Sequence, residues 1–170
     1  MISKKMQNKI NEQINAELWS AYLYLAMSMD AEAKALEGIA NWFYVQWLEE
    51  QDHARIFQNY MNDQGARVML KPIQDVQIEW RSAGDMFKDT LKHEQEVTAM
   101  IRDLVHLAME EGDYATLSRL LCFVDELVEE EDTACQMTTD FDRAGNDFRA
   151  IHQLDKELGE RQYAKAEPLK

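Results

Sequence analysis

The chain has 170 residues, enough for one domain with a sizeable core. Six glycines and two prolines, among plentiful Ala, Glu, Leu, Met and Gln, exclude a low-complexity chain and favour helix. A formal net charge of −14 argues against nucleic acid and membrane as partners and favours cations, although ordinary solubility accounts for the same balance.

Met1 to Lys5 runs straight into an amphipathic pattern with no apolar core of a secretory signal, and no apolar run approaches a membrane span. Ser3 is placed to cap a first helix over about 4–34. Its inward stripe is Met6, Ile10, Ile14, Glu17, Ala21, Tyr24 and Ser28, at alternating spacings of three and four. Glu17 interrupts this apolar row, and Tyr24 lies two turns further along.

A second helix spans about 38–64 and ends at Gly65, suited to a left-handed terminal residue. It carries Glu49 and the Glu-x-x-His pair Glu50 and His53. Residues three apart share a helix face. Ile39, Phe43, Gln46, Phe57 and Met61 lie on that face too, so the pair is expected to be buried. A buried charge must be paired, neutralised or bound to a metal.

Residues 66–81 hold Pro72 and two short β-like pieces, Val68 to Leu70 and Val76 to Ile78. A connector of this length fits a crossover between two parallel helices, each about 42 Å long at about 28 residues. Its apolar side chains are expected to pack on a partner subunit.

Ser82, with Asp85 three residues on, opens a third helix over about 83–111, closed by Gly112. Its stripe is Phe87, Leu91, Glu94, Val97, Ile101, Val105 and Ala108. Glu94 takes an apolar position, while His93, one step round, reads as a surface or interface histidine.

Asp113 caps a fourth helix over about 114–144 with the stripe Leu120, Phe123, Leu127, Glu130, Ala134, Met137 and Phe141. Acids crowd positions 125 to 132, and like charges three and four apart destabilise a helix. A solvated face is one reading. The other is that Glu130 joins the core stripe, with Glu126 and Glu129 beside it, and a cation relieves the repulsion. Cys122 and Cys135 lie on this one helix, too far apart to bond at about 1.5 Å rise per residue. They suggest a reduced, cytoplasmic setting.

After Gly145, Asn146 or Asp147 caps a short helix over 147–158 whose apolar face is Phe148, Ile151, Leu154 and Leu158. A helix this short needs a docking surface, on the bundle or on a neighbouring subunit. The polar tail 160–170, with Pro168, is expected to be loosely held.

The reading is therefore all-α: a four-helix bundle in one domain over 1–170, with a long crossover and a short fifth helix. Four helices bringing carboxylates and a histidine to one point is the arrangement of bundles that hold a di-iron or di-manganese pair. Glu17, Glu50 and His53 would hold one iron, Glu50 would bridge, and Glu94 and Glu130 would complete the second. Zinc fits less well, since it favours more nitrogen or sulfur.

These residues carry a resemblance to the ferritins, above all the haem-free bacterial and archaeal ones, over nearly the whole chain. Glu17, Tyr24, Glu50, His53, Glu94 and Glu130 each stand where the family has its site residues. The resemblance implies iron storage in a hollow shell of about 24 copies. It implies a ferroxidase centre using O2 or H2O2 in each subunit, a mineral core, and Tyr24 beside the centre. It also implies a third iron at Glu49, Glu126 and Glu129. Three departures stand out. Leu127 replaces a Gln common in the family. Leu117, Leu120 and Leu121 stand where animal ferritins line a threefold channel with acids. Asp52 near the bacterioferritin haem-ligand position, with no second Glu-x-x-His, speaks against haem. Rubrerythrin CxxC pairs are absent. The rival readings are a subunit that only nucleates mineral, and a di-iron oxidase or peroxidase of another substrate, a class that usually carries two Glu-x-x-His pairs.

Overall fold

Local chemistry places the helix ends in the computed structural model, which describes residues 2–166. The elements are α1 (Lys4–Ala33), α2 (Glu37–Asp63), α3 (Ala83–Glu111), α4 (Tyr114–Ala144) and α5 (Phe148–Leu158). Ser3, Ser82, Asp113 and Asp147 each accept a backbone N–H from the first turn that follows, which satisfies a donor the helix itself leaves free. Asp147, not Asn146, is the α5 cap. The turn between α1 and α2 had no glycine to announce it: Ala35 adopts the left-handed conformation there, at φ 57°. No helix among the described residues is long and apolar enough to cross a membrane.

α1 packs along α2 and α3 along α4, with α1 also against α3, and α5 seats on α2 and α4. The apolar core falls into two clusters. One gathers Met6, Ile10, Ile14, Phe57, Ile101 and Phe123; the other gathers Tyr24, Met27, Phe43, Met86, Phe87 and Phe141. Between them, at one level on four helices, lie Glu17, Glu50, His53, Glu94 and Glu130. The expected stripes of α1 and α2 are buried throughout. The buried arc of α3 is rotated: Leu91 and Val105 are half-buried, and Met86, Thr90, Leu104 and Leu107 are buried in their place. A helix touching two neighbours buries a wider arc than one stripe.

No strand forms in the crossover among the described residues. Its backbone pairs with two asparagine side chains one turn apart on α1. Asn11 accepts the Met69 N–H at 2.6 Å and donates to the Arg67 carbonyl at 3.1 Å. Asn15 accepts the Lys71 N–H at 2.6 Å and donates to the Met69 carbonyl at 2.9 Å. Each amide thus does for the extended chain what a neighbouring strand would do. The far end is held by Trp80, whose backbone N–H donates to Asp30 and whose indole donates to Asp89. Val68 and Val76 pack inward, whereas Met69, Leu70, Ile73 and Ile78 are exposed.

α5 docks through Ile151, Leu154 and Leu158, but Phe148 points to solvent at 81% exposure. The Asp155 carboxylate accepts the Ile39 N–H at 2.9 Å, a buried link to the start of α2. Gly38 permits this approach, since a Cβ there would lie 1.6 Å from the Asp155 carbonyl oxygen. Backbone cannot yield as a flexible side chain can. Gly38→Ala is therefore expected to lift α5 off α2 at a cost of about 1–3 kcal/mol. Hydrogen exchange checks this: α5 amides should lose protection while α1 and α3 keep theirs, and unchanged α5 protection would refute it.

The tail is not loose over its described part. Asn41 donates to the carbonyls of Gly159 and Arg161, Tyr163 donates to Asp52 at 2.7 Å, and the Ala166 N–H donates to Asp52 at 2.9 Å. Residues 159–166 thereby form a strap along α2. Pro168 lies outside the described residues.

Candidate metal centre

Glu17 from α1 and Glu50 and His53 from α2 meet in the polar layer, with one ligand atom of each within 4.8 Å of the others. All three are at most 4% exposed. Their nearness follows from the helix period. Glu50 and His53 share a face, and Glu17 stands opposite on the helix packed along it. His53 Nδ1 lies 3.6 Å from Glu50 Oε2, and its Nε2 lies 3.1 Å from Glu126 Oε1. Glu126 is otherwise solvent-facing, so it ties the imidazole to the outer acidic face of α4.

Glu94 from α3 and Glu130 from α4 lie beside this group but outside its 4.8 Å cluster. The Tyr24 hydroxyl donates to Glu94 Oε1. Glu94 is buried, while Glu130 keeps part of its surface open to a cavity of about 210 Å³. That cavity reaches from the exposed Glu126 and Glu129 to Glu94 and Glu130, with Glu49 on its wall. Leu127, 5% exposed, lines a smaller space with Glu17, Glu50, His53 and Glu130.

Burial dominates the electrostatics. It raises the Glu17, Glu50 and Glu130 carboxyls above the ordinary carboxylate range and brings Glu94 to about 7, with neighbouring carboxylates adding to the rise. Burial also lifts Glu49 and the Tyr24 hydroxyl. His53 would be lowered by burial, but its bonds to Glu126 and Glu50 outweigh that and raise it well above the usual imidazole value. The same bond lowers Glu126. Glu17 Oε2 and the Oε1 of Gln13 are buried without a hydrogen-bond partner among the described residues. A buried carboxylate oxygen with a free lone pair beside four other carboxyls is a site short of positive charge. An oxygen-rich set with a single imidazole suits iron, manganese or a similarly hard cation.

Three contributors escaped the sequence reading. Gln13 donates to Glu17 Oε1 at 2.9 Å, and its position one turn before Glu17 on a buried face was the available sign. Arg161 bonds Gln46 and Glu49, each at 2.5 Å, from the strap, and nothing in its neighbourhood of sequence announced it. His93, read as a surface or interface histidine, is half-buried between α1 and α3 within the subunit, 2.7 Å from Ser20 Oγ, with its ring against Trp19 and Tyr24. Burial lowers its pKa to about 4, so it stays neutral.

Residues 7–144 match the ferritin-like domain family. The chain is 37% identical over 163 residues to a bacterial non-heme ferritin of Staphylococcus aureus, covering 96% of this chain and 98% of that one. It is 36% identical over 163 residues to the corresponding protein of Staphylococcus epidermidis, with the same coverage. The crystal structure of an open pore ferritin from Archaeoglobus fulgidus superposes with a TM-score of 0.94 at 42% identity, over 95% of this chain and 100% of that one. With a matching domain, matching relatives and a matching fold over almost its whole length, the chain belongs to the ferritin family, among its non-heme members.

Proposed function

We propose that this protein stores iron, oxidising iron(II) within each subunit and depositing the ferric product inside a closed shell of its own copies. The carrying observation is the convergence of Glu17, Glu50 and His53, with ligand atoms within 4.8 Å of one another, in a buried layer short of positive charge. Iron(II) is the substrate. Glu17, Glu50 and His53 receive the first ion, Glu50 bridges, and Glu94 and Glu130 receive the second. Each iron(II) gives up one electron. A pair thus reduces dioxygen to hydrogen peroxide, or hydrogen peroxide to water, with two protons taken up in either case. Tyr24 holds one oxygen of Glu94 and leaves the other free for the ion. Glu49, Glu126 and Glu129 line the way out and offer a weaker third position.

Shell assembly is supported by Met69, Leu70, Ile73 and Ile78, four apolar side chains exposed along the crossover, and by Tyr22 and Met29 exposed on α1. Two measurements test the reading. Gel filtration at neutral pH should give a particle far larger than a dimer. Rapid mixing of metal-free protein with iron(II) and oxygen should give a fast oxidation phase that saturates at the ligand sites. A shell that oxidises iron no faster than buffer is a mineral nucleator only, and a dimer excludes storage in a cavity.

Leu127 sets the relative strength of the two inner positions. It packs in the apolar cluster with Phe123 and offers no hydrogen bond to the second ion's surroundings. Glutamine there would supply an amide oxygen and two N–H donors. Leu127→Gln is expected to tighten the second ion about tenfold, since a hydrogen bond to a charged group is worth about 1.5–3 kcal/mol. It should also lower metal-free stability by burying an unsatisfied amide. Anaerobic iron(II) calorimetry reads the first effect. Equal first and second affinities in the wild type, unchanged in the variant, would leave Leu127 a packing residue.

A further inference from the structure

The strap puts a permanent positive charge among the outer carboxylates. Arg161 Nη2 lies 2.5 Å from both Glu49 Oε2 and Gln46 Oε1, and Nη1 lies 3.4 Å from the Trp42 carbonyl. The guanidinium carbon sits 4.6 Å from the centre of the Trp42 ring. The group is mostly covered, at 26% side-chain exposure, and Glu49 is at 22%. It is held from both sides in sequence: Asn41 bonds the Gly159 and Arg161 carbonyls, and Asp52 bonds Tyr163 and the Ala166 N–H. Arg161 therefore belongs to the wall of the cavity that joins Glu49, Glu126 and Glu129 to Glu94 and Glu130.

We propose that Arg161 is a tethered counter-cation of this cavity and competes with a metal ion for Glu49. This deepens the iron reading and rests on it. Arginine keeps its charge at any pH the protein meets, so the guanidinium does not leave by losing a proton. A divalent ion on Glu49 would sit within a few ångströms of it, in a site water screens poorly, and the two cations repel. The ion binds there only when the guanidinium swings off the carboxylate. The long side chain can do so while Asn41 and Asp52 keep the strap in place. Arg161 thus weakens the outer position against the inner one, and the inner ions load first. In the metal-free protein the same charge offsets the repulsion among the outer acids.

Zinc(II) tests this without any redox step, on the assembled full-length protein. Calorimetric titration of wild type, Arg161→Gln and Arg161→Lys is combined with crystals soaked in zinc. Arg161→Gln is expected to tighten the outer ion about tenfold, the scale of one charged hydrogen bond, and to leave the inner sites as they are. Arg161→Lys keeps the charge and should stay near wild type. In wild-type crystals with zinc on Glu49, the guanidinium should have withdrawn from it. The inference is overturned by equal outer affinity in wild type and Arg161→Gln, by equal tightening in Arg161→Gln and Arg161→Lys, by zinc on Glu49 with Arg161 still bonded there, or by no outer zinc in any variant. Failure of anaerobic iron(II) to bind Glu17, Glu50 and His53 in the same calorimeter would instead strike the iron reading, and the competition would fall with it.

Discussion

Glu50→Ala is expected to slow rapid iron(II) oxidation by at least about 10–100-fold, the loss that follows when a metal site's supporting group is removed and a lower bound for a ligand. Glu50 is 3% exposed and stands between the Glu17–His53 side and the Glu94–Glu130 side, each of which shifts or is shifted by its charge. The fold should survive. Glu50 belongs to a group of carboxyls that repel one another without metal, so removing one relieves the rest. Its burial holds its own pKa well above the usual range. Metal-free Glu50→Ala should melt at or above the wild-type temperature. His53→Ala should lose oxidation equally but melt lower. The imidazole pairs with both Glu50 and Glu126, at 3.6 and 3.1 Å, and its loss strands the buried Glu50 carboxyl, whereas Glu126 keeps water. Leaving such a partner unpaired costs about 1–3 kcal/mol. Stopped-flow absorbance and thermal unfolding of the two variants separate these effects. Wild-type oxidation in Glu50→Ala, or a stabilised metal-free His53→Ala, would refute the assignment.

The difference between these two variants was not legible in the sequence, where Glu50 and His53 looked like equal members of one face. The face itself was legible, because a charge at an apolar position of a helical stripe is a local signal. Glu17, Glu50, Glu94 and Glu130 all gave it, and so did the capping residues Ser3, Ser82, Asp113 and Asp147. Legibility ended where partners lie far apart along the chain. Arg161 meets Glu49 across 112 residues, from a segment with no periodicity. Val68 to Leu70 carried strand propensity, but among the described residues no strand forms for it to pair with, and Asn11 and Asn15 take its backbone instead. Within one subunit Phe148 and His93 depart in opposite directions from what their helix faces suggest, for one reason. Exposure at a helix end or between two helices depends on which neighbour arrives, and Phe148 meets His152 and solvent while His93 meets Trp19 and Tyr24.

Metal-free protein is expected to lose stability as pH rises from about 6.5 to 8.5, and a bound divalent ion should cancel the loss. Glu94 is raised from 4.5 to about 7, so the folded state holds that proton more tightly than the unfolded chain does. The resulting stability is full below 4.5, declines as pH rises, and is gone once pH passes well above 7. Glu17, Glu50 and Glu130 are raised by burial and act in the same direction. His53 is raised above 6.5, so its contribution is full below that value and is lost as pH climbs through its folded pKa. Two groups oppose. Glu126 is lowered, so its contribution is lost only in acid, below 4.5. Neutral His93, lowered from 6.5 to about 4, favours the folded state above 6.5 and loses that as pH falls. Glu126's contribution is complete by pH 6.5, and His93's grows by only about 0.4 kcal/mol above it, less than Glu94 loses over the same range. Within it Glu94 alone loses about 1 kcal/mol. Glu50, Glu130 and His53 act in the same direction as pH climbs through their folded pKa values, and as coupled groups they do not sum separately. At about 2–4 °C per kcal/mol for a domain of this size, the Glu94 contribution alone corresponds to a fall of about 2–4 °C in melting temperature. A bound ion takes the place of the missing protons, so zinc-loaded protein should show a flat or rising profile and should release protons on binding. Melting curves at pH 6.5, 7.5 and 8.5, with and without zinc, read the effect directly. Glu50→Ala, with one carboxyl fewer in the layer, should give a shallower metal-free slope. A metal-free melting temperature that holds level across the window would mean that the layer already carries its charge at neutral pH and needs no cation to keep it.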